Sequence, residues 1–320
     1  MRMHFLLRGS AWLVSGLVAV AAVAAADDKP EEKDAAKEIA TQAPANDIWL
    51  ATLEHAPGAK GSMTLREPRN ATHRPGYDNQ PFFLPDGKQF YYTSIHEDGQ
   101  ADIWRYDVAS GESTRVTTTA ESEYSPTVPA DGDGISTVRV EKDGSQRLWR
   151  YAADGTPGKA LIDDEKGVGY HAWMDDTTLG LFVVSEPPVL KIVDLRSGRA
   201  RDMGKDLGRC IQAVPARPGL AYIEPDKDGK KWLKVLQWPS GVTQLLTQPL
   251  EGSEDFVLGS DSELYMAREK SIYAWQHEAG KWKVIAEFTE LPGPITRLAV
   301  SPRADLMAFV VAESAEPQTP

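Results

Sequence analysis

The sequence predicts an all-β chain, a six-bladed β-propeller of four-stranded antiparallel blades, and three observations carry that prediction. From Asp47 onward, short alternating or apolar runs are separated by Gly, Pro, Asp and Ser, with no convincing amphipathic helix among them; this is the pattern of strands joined by hairpins. One strand signature recurs at Ile103, Leu148, Leu190, Leu233 and Ile272, at spacings of 45, 42, 43 and 39 residues, each followed by a Gly turn. A period near forty is that of propeller blades. Finally, the two ends of the chain hold complementary halves of a sixth unit.

Taken in order, the chain begins with Arg2 and Arg8, the apolar stretch Ala11 to Ala21 and the small-residue run Ala24-Ala25-Ala26. This is the layout of a cleavable export signal over residues 1–26, too short in its apolar part to span a bilayer. Residues 27–45 read as a flexible charged linker, with six acids and three lysines between Asp27 and Glu38. The propeller domain is placed at residues 46–313 and a disordered tail at 314–320.

The clearest blade runs from Tyr77 to Val116. Its predicted strands are Gln80 to Leu84, Gln89 to Ser94, Asp102 to Val108 and Ser113 to Thr117. Between the first two, Pro85-Asp86-Gly87-Lys88 is a turn in which Pro presets one φ and Gly takes a positive one. Glu97-Asp98-Gly99 and Ala109-Ser110-Gly111-Glu112 make the other two turns. Its third strand, Ile103-Trp104-Arg105-Tyr106, is echoed by Leu148-Trp149-Arg150-Tyr151, then by strands starting at Leu190, Leu233 and Ile272. Trp49, Trp104 and Trp149 share one blade position and are expected to be core or blade-to-blade packing residues.

At the ends, Asp47-Ile48-Trp49-Leu50 repeats the third-strand signature with no first and second strands before it. Conversely, Ile295 to Val300 and Leu306 to Val311, joined by a Ser-Pro turn, supply a first and second strand with no third after them. The last blade is therefore expected to take its inner strands from the C-terminus and its outer strands from the N-terminus, closing the ring and leaving no open edge.

The run Phe83-Leu84-Pro85-Asp86-Gly87-Lys88-Gln89-Phe90, followed by Asp98-Gly99 and Asp102-Ile103-Trp104-Arg105, resembles the repeat of TolB-type propellers. The match is good in this blade, partial near Pro129-Ala130-Asp131-Gly132 and Ser301-Pro302, and weak in the three blades between. It covers about Asp47 to Ala312. The resemblance implies a six-bladed, often exported propeller that serves as a binding or scaffolding module. TolB itself carries an α/β domain before its blades, whereas only residues 27–45 stand between the predicted signal and the first strand here.

The chemistry is narrowed by exclusion. A formal net charge of -12 disfavours nucleic acid and anionic membrane surfaces. The single cysteine, Cys210, forms no disulfide within the chain and is expected to be buried and inert. There is no Gly-x-Ser-x-Gly elbow. His96-Glu97 and His277-Glu278 lack the second His of a zinc helix and read as solvated loop residues. Gly167-Val168-Gly169 leads into a strand, not into the helix a dinucleotide site requires. Asp131-Gly132-Asp133-Gly134 and Asp226-Lys227-Asp228-Gly229 read as turns, without the far bidentate acid of a calcium loop.

In a propeller, residues entering each first strand surround the axial mouth. Tyr77, Asp78, Tyr124, Tyr170, His171, Arg209, Glu254 and Asp255 are the candidate ligand- or partner-binding residues by that reasoning, with Arg297 and Thr296 beside them. No cofactor and no metal are expected. The expected product is an exported, non-catalytic monomer, periplasmic or secreted, that binds an envelope protein or peptide and has no transmembrane segment after signal removal. The alternative is a propeller-type enzyme, a metal-assisted lyase or a lactonase, with its site at the axial mouth.

Overall fold

The computed structural model describes residues 43–55, 63–215 and 217–313. The expected signal, the linker up to residue 42 and the tail lie outside them. The described residues form twenty-four strands and no helix. The N-terminal pair is β1 (Asn46–His55) and β2 (Met63–Asn70). The first complete blade is β3 (Tyr77–Phe83), β4 (Gln89–Ile95), β5 (Ala101–Asp107) and β6 (Ser113–Arg115). The second is β7 (Ser122–Thr127), β8 (Ile135–Val140), β9 (Gln146–Tyr151) and β10 (Pro157–Ala160). The third is β11 (Val168–Trp173), β12 (Thr178–Val183), β13 (Val189–Asp194) and β14 (Arg199–Lys205). The fourth is β15 (Ile211–Ala213), β16 (Gly219–Pro225), β17 (Lys231–Gln237) and β18 (Thr243–Thr247). The fifth is β19 (Phe256–Leu258), β20 (Leu264–Arg268), β21 (Ser271–Gln276) and β22 (Lys281–Glu287). The sixth begins with β23 (Ile295–Val300) and β24 (Leu306–Ala312).

The sixth blade is completed by the N-terminus. Strand β24 pairs antiparallel with β1 from Leu306↔Thr52 to Ala312↔Asn46, and β1 pairs with β2. One parallel bridge, Asn46↔Tyr77, joins this blade to the first. The closure read from the two half-units is thus the closure observed.

Turn chemistry repeats between blades. Asp86 Oδ1 accepts from the Lys88 amide at 2.9 Å, Asp143 Oδ1 from Ser145 at 2.9 Å, and Asp226 Oδ1 from Asp228 at 2.9 Å and Lys230 at 3.0 Å. Each is a local side-chain-to-backbone bond that favours a turn over strand continuation.

The repeated core position is the aliphatic residue of the third strand. Ile48, Ile103, Leu148, Leu190, Leu233 and Ile272 are all 0% exposed. Each packs against the blade that follows it. Ile103 clusters with Ile135, Leu148 with Leu181, and Leu190 with Leu220. Leu233 clusters with Phe256, Ile272 with Met307, and Ile48 with Phe90. Six clusters at six blade junctions make the core a ring.

Of the neighbouring tryptophans, Trp49 and Trp104 are the blade-to-blade packing residues expected, and Trp149 is not. Side chains alternate faces along a strand, so Trp49 and Trp104 turn to the preceding blade, where both are only partly buried. Trp149 lies instead under the Arg139 guanidinium, 4.3 Å from its ring centre, and its Nε1 donates to Glu141 Oε1 at 2.9 Å. His96 is not a solvated loop residue either. It stacks on Trp104 with ring centres 4.3 Å apart.

Candidate functional site

The axis is lined by first strands that are bent where they approach it. In β3 the ladder skips between Asn79 and Phe82, and in β7 between Tyr124 and Thr127. Each skipped pair ends in proline, Gln80-Pro81 and Ser125-Pro126, and proline has no N–H to give the ladder. The residue before it takes a left-handed φ, 60° at Gln80 and 53° at Ser125. A bulge of this kind re-aims a side chain. Here Gln80 Oε1 accepts from the Ser125 amide at 2.8 Å and from Thr93 Oγ1 at 2.7 Å, tying the first two blades together at the axis.

All six blades contribute to an axial cavity of about 70 Å³. Its polar lining includes Gln80, Thr127, Tyr170, His171, Arg209, Gln212, Asp255 and Arg297. Two guanidinium groups face one carboxylate there, in a chain whose net charge is -12. Arg297 Nη1 lies 3.8 Å from Asp255 Oδ2, and its Nη2 donates to Tyr170 Oη at 3.2 Å. Arg209 Nη2 donates to the Thr296 carbonyl at 3.0 Å, and Asp255 Oδ1 accepts from the Leu298 amide at 3.1 Å.

Burial raises the Asp255 pKa; Arg297 and then Arg209 oppose that rise without cancelling it. For Arg297, burial pulls the pKa down, but Tyr170, Asp255 and Tyr77 together more than offset it, so the guanidinium stays charged. Beside them, Cys210 donates its thiol hydrogen to the Phe256 carbonyl at 3.2 Å, and burial pushes its pKa up to about 12. It is the inert buried thiol expected.

His171 is 5% exposed. Its Nε2 lies 2.7 Å from Ser136 Oγ and 2.8 Å from Thr127 Oγ1. Trp173 Nε1 donates to the same Ser136 Oγ at 2.8 Å. Burial lowers the His171 pKa to about 3, so the ring is neutral near pH 7.

Of the eight residues named from the sequence, Tyr170, His171, Arg209 and Asp255 line the cavity. The other four are not part of the lining, although Tyr77 is close enough to interact with Tyr170, Arg297 and Arg209. Tyr77 and Tyr124 pack with Ile95 and Ala101 between the first two blades. Asp78 is buried, accepting from Arg74 Nη2 at 2.8 Å and Ser94 Oγ at 2.6 Å. Burial raises its pKa and Arg74 opposes the rise. Glu254 is exposed and paired with Lys231 Nζ at 2.8 Å.

Ser136, Thr127 and Trp173, which hold His171, had no sequence signal beyond lying on strands. Among the described residues no group of three or more His, Cys, Asp or Glu side chains is placed to hold a metal ion. No helix among them is long and apolar enough to cross a membrane.

No protein-family model matches the chain. An uncharacterized protein, Atu1656 of Agrobacterium fabrum, is 32% identical over 83 residues, which is 26% of this chain; the match spans about a quarter of that relative's length, 28%. Among solved structures, a TolB candidate from Agrobacterium tumefaciens superposes with a TM-score of 0.65 at 13% identity, over 85% of this chain and 99% of that one. TolB from Acinetobacter baumannii gives a TM-score of 0.54 at 13% identity, over 84% of this chain and 64% of that one. With its sheet order, its ring of inter-blade clusters and its N-terminal closure, the protein has the fold of a TolB-like β-propeller.

Proposed function

We propose that this protein is an exported, non-catalytic propeller that binds a protein or peptide of the cell envelope through its axial mouth. One observation carries the reading: the axial cavity holds about 70 Å³, whereas small-molecule sites usually enclose roughly 300–1,000 Å³. A space of that size admits the tip of one side chain or a chain terminus, with the rest of the partner resting on the rim. The state of His171 supports binding over proton transfer. Its Nε2 is held by two hydroxyls and burial leaves it a weak base. Export rests on the signal-like residues 1–26; cell fractionation should place the protein in the periplasm or medium, with a mature mass beginning near Asp27.

The binding reading is tested by photo-crosslinking in living cells. A benzophenone amino acid at Phe82, on the cavity wall, should yield a discrete adduct with one envelope protein. The same group at Leu245, 57% exposed on β18 of the fourth blade, should not. Equal labelling at both positions, or none at Phe82, would sink the reading.

A further inference from the structure

The first and second blades are joined by a connector, residues 116–121, that runs from β6 to β7. It is stitched to the first blade. Thr117 Oγ1 accepts from the Ile103 amide at 2.9 Å, and Gln100 Nε2 donates to the carbonyls of Thr119 at 2.7 Å and Glu121 at 2.9 Å. On the side of the second blade, one acid holds it. Glu123, on β7, is 0% exposed. Its carboxyl accepts from the hydroxyls of Thr119 and Thr117 on the connector and, at 3.0 Å, from that of Tyr151 on β9.

No base among the described residues forms an ion pair with Glu123. Arg139, on the facing strand β8, is paired with Glu121, and Arg115 with Asp102 at 2.6 Å and Asp98 at 3.8 Å. Once Asp102 is ionised, those two guanidiniums face three carboxylates. An ionised Glu123 would add a second uncompensated negative charge, at a site closed to water. A buried acid without a cation keeps its proton. Burial accordingly raises the Glu123 pKa, outweighing the hydroxyls and Arg139. Asp102 moves the same way: burial, opposed by Arg115 and reinforced by Glu123 and Asp98, lifts it to about 7. Tyr124 and Tyr151, whose pKa values burial raises, stay neutral and leave this balance unchanged.

We infer that Glu123 is a proton-operated latch between the first two blades: as a neutral acid it holds the connector shut, and when an alkaline medium removes its proton the connector and the start of β7 come free. The sign follows from linkage. The open connector exposes Glu123 to water, where it ionises at its ordinary value of 4.5. Above that value opening releases a proton, so the open population rises by up to about tenfold per pH unit until the shut form ionises too. The effect reaches the axis, because β7 carries Ser125 and Thr127, both in the cavity wall. The Ser125 amide is the one whose hydrogen bond to Gln80 Oε1 ties the two blades there. The latch thus couples the pH of the surroundings to the axial wall, whatever enters the mouth.

The test is hydrogen exchange on the purified protein at pH 6 and pH 8, expressed as protection factors so that the intrinsic base catalysis of exchange is divided out. Protection of the amides of residues 116–125 should fall by about tenfold or more between the two. Amides of β16, in the fourth blade, should keep theirs within about twofold. Glu123→Gln, whose amide carbonyl can still accept from the hydroxyls but cannot ionise, should at least halve the fall on a logarithmic scale; the remainder belongs to Asp102. Carboxyl carbon-13 titration of the parent protein reads the acid directly and keeps the test decisive if the variant fails to fold. Glu123 should still be largely protonated at pH 6. Unchanged protection at residues 116–125, an equal fall in β16, a fall in Glu123→Gln more than half the parent's, or a Glu123 carboxyl already ionised at pH 6 would each overturn the inference. None of these outcomes bears on whether the mouth binds an envelope partner, which the axial cross-link decides separately.

Discussion

His171 is a residue whose environment sets a measurable pH dependence. Its pKa falls from about 6.5 in the unfolded chain to about 3 in the fold because burial disfavours the imidazolium. Below the unfolded value the unfolded chain binds a proton that the folded one does not. The contribution to stability is therefore complete above pH 6.5 and is lost as pH falls from there toward 3, by up to about 1.4 kcal/mol per pH unit. Urea midpoints at pH 7 and pH 5 should fall less in His171→Asn than in the parent protein; an equal fall would show that other groups set the acid limb. The buried acids Asp78, Glu123 and Asp255 act with the opposite sign. Burial raises each of their pKa values, so each favours the folded state more as pH falls, which is why the comparison must be made within one variant pair. His171 could be placed near the axis from the sequence because the strand register gives position. The hydroxyl cage around it could not, since Ser136 and Thr127 meet the ring only when two blades are folded side by side. Gln80 and Ser125 were hidden for a related reason: a bulge before proline turns them against the simple alternation of the strand.

At the level of the strand and turn, the repeat was readable because it is set by short-range rules. An aliphatic residue must be buried every forty or so positions, and an Asp or Gly must turn the chain between strands. What the repeat did not disclose was which of two adjacent residues is the core. The tryptophans are larger and more conspicuous, but the side chains that fill the blade junctions completely are Ile48, Ile103 and their equivalents. The tight spots between strands are equally specific. Gly155, at φ +86°, would carry a Cβ 1.9 Å from the Val116 carbonyl oxygen, so the second blade's last hairpin packs directly on the first blade's backbone. Gly252, at φ +80°, would meet nothing within 4 Å. Gly252→Ala should therefore cost only the conformational penalty of about 1–2 kcal/mol, while Gly155→Ala should cost several kcal/mol more because the backbone must move. Chemical denaturation of the two variants gives the comparison, and equal losses would mean that the close approach relaxes freely.

For the molecule as a whole, the closing strands decide whether the ring behaves as one body. Ile48 on β1 and Val310 on β24 are Cα partners across the closure and both are 0% exposed. Ile48→Ala and Val310→Ala should each destabilise by about 2–4 kcal/mol, with a coupling energy of at least 0.5 kcal/mol in the double variant because the two residues share a cluster. Calorimetry should still show a single transition in every case, since opening one junction exposes its neighbours around the ring. A separate early transition for the sixth blade would show that the closure acts alone. The legibility of the closure had a simple cause: half a blade at each end of a chain leaves unpaired strand edges that only the other half can satisfy.

That arrangement also fixes when the fold can be finished. Until Leu306 to Ala312 have left the ribosome, β1 has no inner partner and its apolar face stays open, however many blades have already been synthesised. The ring thus closes only after all of its other strands have been made. Once it has closed, Asn46 and Ala312 are paired, so the first and last strands meet side by side at one point of the ring.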